Sequence, residues 1–421
     1  MTRHCWHEDA NVISRAGTTI LRTGWLIGLG FGLHCHAQDH SPSETPAQPD
    51  QQLVLGLPVK ITDIAGSMKL KVIEGALVEQ DEWLILLGGM KEDFAASPAI
   101  QIRTPQGEWR PVGAQLIEER INPWTVKLSD DRIFVWGGYG GSARTDLIQL
   151  VDGEILTPRV AGSSRSVIPP PGIDWSGASN PIRLPEDVVG MVLNDQLHRF
   201  DTTGTGQWLP PIPLGHSLQG PILAQTRDGS VLACGTSQAG STYQVIAIDP
   251  TTEAVTPWPE GPRIPALGGR VHPLPDGRLL VVGWTRVGTG IDTQTLVIDP
   301  AKQVTMRGPS LPVRGDALNW ITSQPVAEGV LILASEANRS TEQETNTPVQ
   351  PTPVGFLVRV NSTGALRVWV LSNMPPRRRP MLLPQGSRSA VLLGGYRFGA
   401  KGAAMENTAL LVNYGTGLVG D

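Results

Sequence analysis

The chain has 421 residues, 40% of them hydrophobic and 17% charged, with a formal net charge of −5. That is ample apolar material for a core, and the acidic balance argues against nucleic acid, which requires a basic face to neutralise phosphates. Its 48 Gly and 36 Pro suit a protein of many short strands and turns.

Residues 1–37 read as an export signal. Arg3, Arg15 and Arg22 precede an apolar stretch at 24–33, too short for a bilayer, which takes about twenty residues. Cys35 and Ala37 are small residues suited to a cut after Ala37. The mature protein is therefore expected in the periplasm or outside the cell. Residues 38–52, rich in Pro, Ser and Gln, read as a flexible linker. Residues 53–421 are expected to form one domain.

Two stretches in that domain, 228–250 and 276–300, share one plan. Each opens on Asp-Gly, runs through an apolar strand and a small-residue break, and ends a second strand on Ile-Asp-Pro. A strand-only repeat with a period near fifty points to a propeller blade. Seven apolar strands recur at roughly that spacing: 83–89, 132–138, 188–193, 230–235, 278–283, 330–334 and 390–395. Third strands are expected at 99–103, 146–151, 196–201, 243–249, 293–299, 355–360 and 408–413. Fourth strands carry Trp109, Trp208, Trp258 and Trp369, with Leu156 and Met306 instead in two units. These indoles are expected to fill the gaps between neighbouring sheets. Cys234 lies inside an apolar strand and reads as a small buried residue.

Strand, Gly-Gly, loop, strand, Asp-Pro turn, Trp and Pro-x-Arg together resemble the kelch repeat. The Gly-Gly pair is intact at Gly88-Gly89, Gly137-Gly138 and Gly394-Gly395 and degenerate elsewhere. The resemblance implies an all-β, seven-bladed kelch-type β-propeller of four-stranded blades. The last unit ends too soon for a fourth strand, and the apolar stretch 53–63 is unassigned. It is expected to supply that strand and close the ring.

In kelch proteins one face, built from the loops leading into the first strands and those joining second to third strands, carries ligands. The lead-in loops here bring a recurrent base: Arg120, Arg165, His216, Arg263, Arg314 and Arg378. Guanidinium forks suit carboxylate or phosphate. Trp124 and Trp320 lie just after two of these arginines, and an indole beside Arg and Asp316 offers a flat surface for a sugar ring. Longer loops are expected at 90–97, 139–145, 284–292, 335–353 and 396–407. The expected role is binding without bond chemistry, of an acidic glycan or a partner protein, by a monomer.

The resemblance brings an enzymatic alternative: a periplasmic kelch epimerase that interconverts sialic acid anomers. It would use a carboxylate base, for which Glu118, Glu119, Asp316 and Glu336 are candidates, and arginines that hold the sugar acid. A copper-radical sugar oxidase is excluded, because His198, His216 and His272 stand alone beyond the linker. No zinc spacing, disulfide framework or phosphate loop occurs, so no metal and no cofactor is expected.

Overall fold

Trp83–Leu87 is an unbroken apolar run, the mark of a strand buried on both faces. In the computed structural model its side chains alternate between two neighbours: Leu84 and Leu86 join one apolar cluster, Ile85 and Leu87 another. The structure describes residues 54–64, 68–237, 242–264, 268–287, 290–311, 317–337, 352–375, 377, 379–385, 388–399 and 402–414. The expected export signal and linker lie outside them.

The described residues form a seven-bladed β-propeller of four-stranded antiparallel sheets. Blade 1 runs Ala76–Gln80, Trp83–Leu87, Ala99–Arg103, Trp109–Gln115. Blade 2 runs Trp124–Lys127, Ile133–Trp136, Gly153–Leu156, Arg165–Val167. Blade 3 opens with the short Ile182–Arg183 and continues through Val188–Leu193, Gln196–Asp201 and Gln207–Pro213. Blade 4 holds Leu218–Gln225, Val231–Ser237, Tyr243–Ile248 and Val255–Pro257. Gly268–Pro273, Leu279–Val287, Gly290–Asp299 and Val304–Arg307 make blade 5. Blade 6 is built from Ala317–Val326, Gly329–Ala337, Thr352–Val360 and Leu366–Ser372. Blade 7 starts with Met381–Gln385, Ser389–Leu393 and Ala409–Asn413.

The fourth strand of blade 7 comes from the other end of the domain. Lys60–Ile64 pairs antiparallel with Ala409–Asn413, in the register Lys60 to Asn413 through Ile64 to Ala409. This is the expected closure, with one addition. Val54–Pro58 does not continue that strand but pairs parallel with Leu366–Ser372, as a fifth, outer strand of blade 6. The N-terminal segment thus grips two blades.

First strands of successive blades touch one another all the way round, blade 7 against blade 1 included. They are therefore the inner wall of a central channel. Seven apolar clusters fill the seven gaps between neighbouring blades. Each buried Leu, Ile or Val there contributes roughly 1.5–3 kcal/mol. The fourth-strand tryptophans act as fillers: Trp109 packs between blades 7 and 1, Trp258 between blades 4 and 5, Trp369 between blades 6 and 7. Cys234 is buried in the blade 4–5 gap, and burial pushes its thiol up to about 12.

Two expectations on local structure fail. The third strand of blade 2 is Gly153–Leu156, not 146–151. A small hairpin, Tyr139–Gly140 with Ile148–Gln149, and a 3-10 turn at Arg144–Asp146 take up the intervening chain and delay the strand. Leu156 is thus a third-strand residue. Residues 284–292 are no separate loop, because Leu279–Val287 and Gly290–Asp299 run on as a paired ribbon to the Val287–Gly290 pair. The 335–353 loop falls largely on residues outside the described set.

Inner strands are also tied by polar contacts. His272 of blade 5 shares a 2.7 Å hydrogen bond with the Ser323 hydroxyl of blade 6, both buried. Burial, and then the nearby Arg270 charge, pushes His272 down to about 3. A depressed histidine supplies stability that is present above its ordinary value of 6.5 and lost as pH falls towards 3. His272→Gln is therefore expected to flatten part of the acid side of a urea-midpoint profile across that window; an unchanged slope would refute the assignment. Deleting residues 53–64 is expected to give aggregates or a broad, weakly cooperative melt. A monodisperse product with the wild-type transition would mean that closure resides elsewhere.

Candidate functional site

Chain direction alone places the lead-in loops and the second-to-third-strand loops at one end of the channel. The Gly-Gly pairs sit there for a steric reason. Gly88 and Gly138 have φ of +63° and +88°, and a Cβ on either would run into the carbonyl oxygen of Arg120 or Ile121. Backbones meet too closely at these corners for any side chain.

Arg120 does not reach the channel mouth. It is fully buried. Its Nε donates to Glu154 Oε1 at 3.1 Å, Nη1 to the Gly137 and Asp152 carbonyls at 2.9 and 3.3 Å, and Nη2 to Asp152 Oδ1 at 3.0 Å. Glu154, also buried, accepts the Ile117 N–H through its other oxygen at 2.8 Å. Arg377 repeats the arrangement in blade 7, donating to the Gly394 and Thr408 carbonyls and to the Thr408 hydroxyl. In both cases the arginine lies 17 residues before the first glycine of a Gly-Gly pair. These guanidinium groups hold a lead-in loop onto the blade that follows it.

The other expected site residues scatter. Arg165 lies in the outermost strand of blade 2, its Nη1 donating to the Gly204 carbonyl at 2.6 Å. It is at the rim because the delayed third strand shifted the phase of that blade. His216 and Arg263 are exposed in the loops leading into blades 4 and 5, and the Arg263 carbonyl accepts from Arg307 at 3.1 Å. Arg314, Asp316 and Arg378 lie outside the described residues. Trp320 is in the first strand of blade 6, opposite Ser335; its side chain, like that of Glu336, is outside the description. Glu118 and Glu119 are exposed.

What the structure does bring together is a set that residue spacing had not singled out. Glu74, Asn122 and Arg379 each stand two residues before an inner strand, in blades 1, 2 and 7. Each is left-handed, with φ of 55°, 52° and 53°. Left-handed backbone disfavours residues with a Cβ by about 1–2 kcal/mol each, and such strain gathers at functional sites. Arg379 Nη1 donates to Glu74 Oε1 at 2.7 Å, and the Asn122 N–H donates to the Glu74 carbonyl at 2.6 Å. Three consecutive blades are thus joined along the inner rim of the mouth.

Trp124, two residues after Asn122, is 36% exposed; Tyr139, bridged to Ile121, is 45% exposed. Arg270 of blade 5 places its guanidinium carbon 5.3 Å from the Trp124 ring centroid. Blades 2 and 5 are not neighbours, so this cation–π contact crosses the channel. Burial draws Arg270 below its ordinary value. The mouth therefore offers an acid–base pair, an exposed indole, a phenol and an amide, a set that can hydrogen-bond and stack on a polar ring. A cleft lined by Thr226, Arg227, Pro273 and Pro275 lies at the hairpin end of blades 4 and 5 and gathers no such set. Among the described residues no group of three His, Cys, Asp or Glu is placed to hold a metal, and no helix is long and apolar enough to cross a membrane.

The fold has many solved counterparts. A catalytically inactive virginiamycin B lyase from Staphylococcus aureus with quinupristin is 11% identical, with a TM-score of 0.46 over 84% of this chain and 99% of its own. A streptogramin B lyase is 12% identical, with a TM-score of 0.47 over 84% of this chain and 97% of its own. YjhT is 12% identical, with a TM-score of 0.45 over 83% of this chain and 97% of its own. At these values the likenesses carry no argument about activity. No family model and no curated protein matches the chain.

The Arg120 assignment has a measurable consequence. Burial pushes the Glu154 carboxyl up, against the pull of the Ile117 N–H and of Arg120. Arg120→Ala leaves that carboxylate buried without its cation, which is expected to cost about 3–5 kcal/mol of stability at pH 7. The deficit should shrink on acidification, as Glu154 takes up a proton and its buried charge disappears. Chemical denaturation at pH 7 and pH 5 checks both signs; a pH-independent deficit would assign the loss to packing.

Proposed function

We propose that this chain is a kelch-type propeller that binds a glycan at the channel mouth without making or breaking bonds, and that it works outside the cytoplasm after export directed by residues 1–37. The observation that carries the binding reading is the exposed Trp124 beside the left-handed trio Glu74, Asn122 and Arg379. An indole face takes the apolar side of a sugar, and fixed donors and acceptors around it orient the hydroxyls. His216 and Arg263, exposed on the same face, and Arg314, Asp316, Trp320 and Arg378, which precede or open the first strands of blades 6 and 7 in sequence, extend the proposed surface. The family reading rests on the Gly-Gly corners and the buried arginines that hold them.

A protein partner is the second reading. It is favoured by exposed Ile148 on the blade 2 hairpin and Ile168 after the last strand of that blade, 62% and 76% exposed.

The test is a thermal-shift screen of the protein against neutral sugars, uronic and sialic acids and phosphorylated sugars. A bound sugar is expected to stabilise by roughly 2.7 kcal/mol at a hundredfold excess over its Kd, and Trp124→Ala and Glu74→Gln should abolish the shift. Exchange of anomers catalysed by the protein, followed by NMR, would replace pure binding with the epimerase alternative. No shift with any sugar, together with a partner captured only when Ile148 is intact, would move the reading to protein binding. Mass analysis of the exported form checks for a start at Gln38.

A further inference from the structure

Arg270 is an odd residue to find on a channel wall. The buried arginines of the described set have carboxylate or carbonyl acceptors: Arg120 has Glu154 and Asp152, and Arg377 has Gly394 and Thr408, whereas Arg270 is half-buried. Among the described residues Arg270 has only the Trp124 ring. Its two strand neighbours bring no acid. His272, on the same side of the strand two residues on, is neutral and bonded to Ser323, and Gly268 has no side chain. A guanidinium partly withdrawn from water without an anion is costly, and one cation–π contact recovers only part of that. Its fork of N–H donors suits a planar carboxylate.

We infer that Arg270 is the carboxylate-recognising group of the channel, so that the ligand carries a carboxylate on a body able to rest against Trp124. The assignment rests on the reading of the mouth as a ligand site. The net charge of −5 and the carboxylate of Glu74 at the rim disfavour a multiply charged anion such as phosphate. A single negative charge, met by one guanidinium inside, fits this surround better. In the unliganded protein the indole holds the guanidinium in place; an arriving carboxylate takes over its N–H edge.

The experiment compares the full protein with Arg270→Gln and Arg270→Lys. Ligands are glucuronic acid and N-acetylneuraminic acid, their methyl esters, benzoate and inorganic phosphate, followed by calorimetry and tryptophan fluorescence. The wild type is expected to bind each sugar acid at least about tenfold more tightly than its ester, a difference of about 1.4 kcal/mol. Arg270→Gln should remove that preference while leaving the ester unchanged, and Arg270→Lys should keep part of it. Because the half-buried cation has no anion among the described residues, Arg270→Gln should melt close to the wild type. An acid preference that survives in Arg270→Gln overturns the assignment, as does a wild type with no acid preference, or a fall in melting temperature with ligand binding intact, which would make Arg270 a structural brace. Benzoate binding that depends on Arg270, with no sugar bound in either form, would sink the glycan reading and leave the carboxylate site standing. Binding of neither sugars nor benzoate would sink both.

Discussion

Lys60–Ile64, hydrogen-bonded to Ala409–Asn413, is the pairing on which the rest of the domain depends. Each blade buries its two faces against its neighbours, so no blade has a complete core alone. An open row would leave one face of blade 1 and one of blade 7 in water. Closure removes both, and the cluster joining Met68, Leu86, Trp109, Met381 and Leu393 exists only because of it. The parallel strand Val54–Pro58 on blade 6 adds a second grip, so the seam is held by strands on two sheets.

Charge is used in two ways. Arg120 and Arg377 are spent inside the wall, where their fixed forks read backbone carbonyls at the Gly-Gly corners. Arg379 and Arg270 are displayed, one at the rim against Glu74 and one across the channel on Trp124. Among the loop arginines Arg120, Arg377 and Arg379, the same residue type near one loop phase serves structure or surface according to which way the loop turns, whereas Arg270 stands on the inner strand itself. At Arg377 and Arg379 the two uses are two residues apart.

That difference explains how far the sequence could be read. The second strands were legible because burial on both faces writes long apolar runs, as in Trp83–Leu87 and Val188–Leu193. Closure was legible because the last unit lacks a strand and residues 53–63 lack a partner. The role of Arg120 was not, because Glu154 lies 34 residues away and no local pattern ties them. One signal was present: the shared 17-residue offset from Arg120 to Gly137 and from Arg377 to Gly394, which marks Arg377 rather than Arg378 as the counterpart. Arg165 was misplaced because a hairpin after Gly138 delays the third strand of blade 2. Arg270 and Trp124 meet only because a ring brings blades 2 and 5 face to face, and no spacing rule encodes that contact.

The seam also sets an order of events. Met68 and Asn407, joined across it, are 339 residues apart in sequence. A ribosome working from the N-terminus releases residues 54–64 long before their partners in blades 6 and 7 exist. Throughout synthesis those strands, and the growing edge of the last finished blade, are unpaired and able to dock on another nascent chain. Loops that must close over such a distance do so slowly. The protein is thus most vulnerable to aggregation while it is being made, and its yield in a cell should depend on translation rate and chaperone supply far more than the stability of the finished ring would suggest.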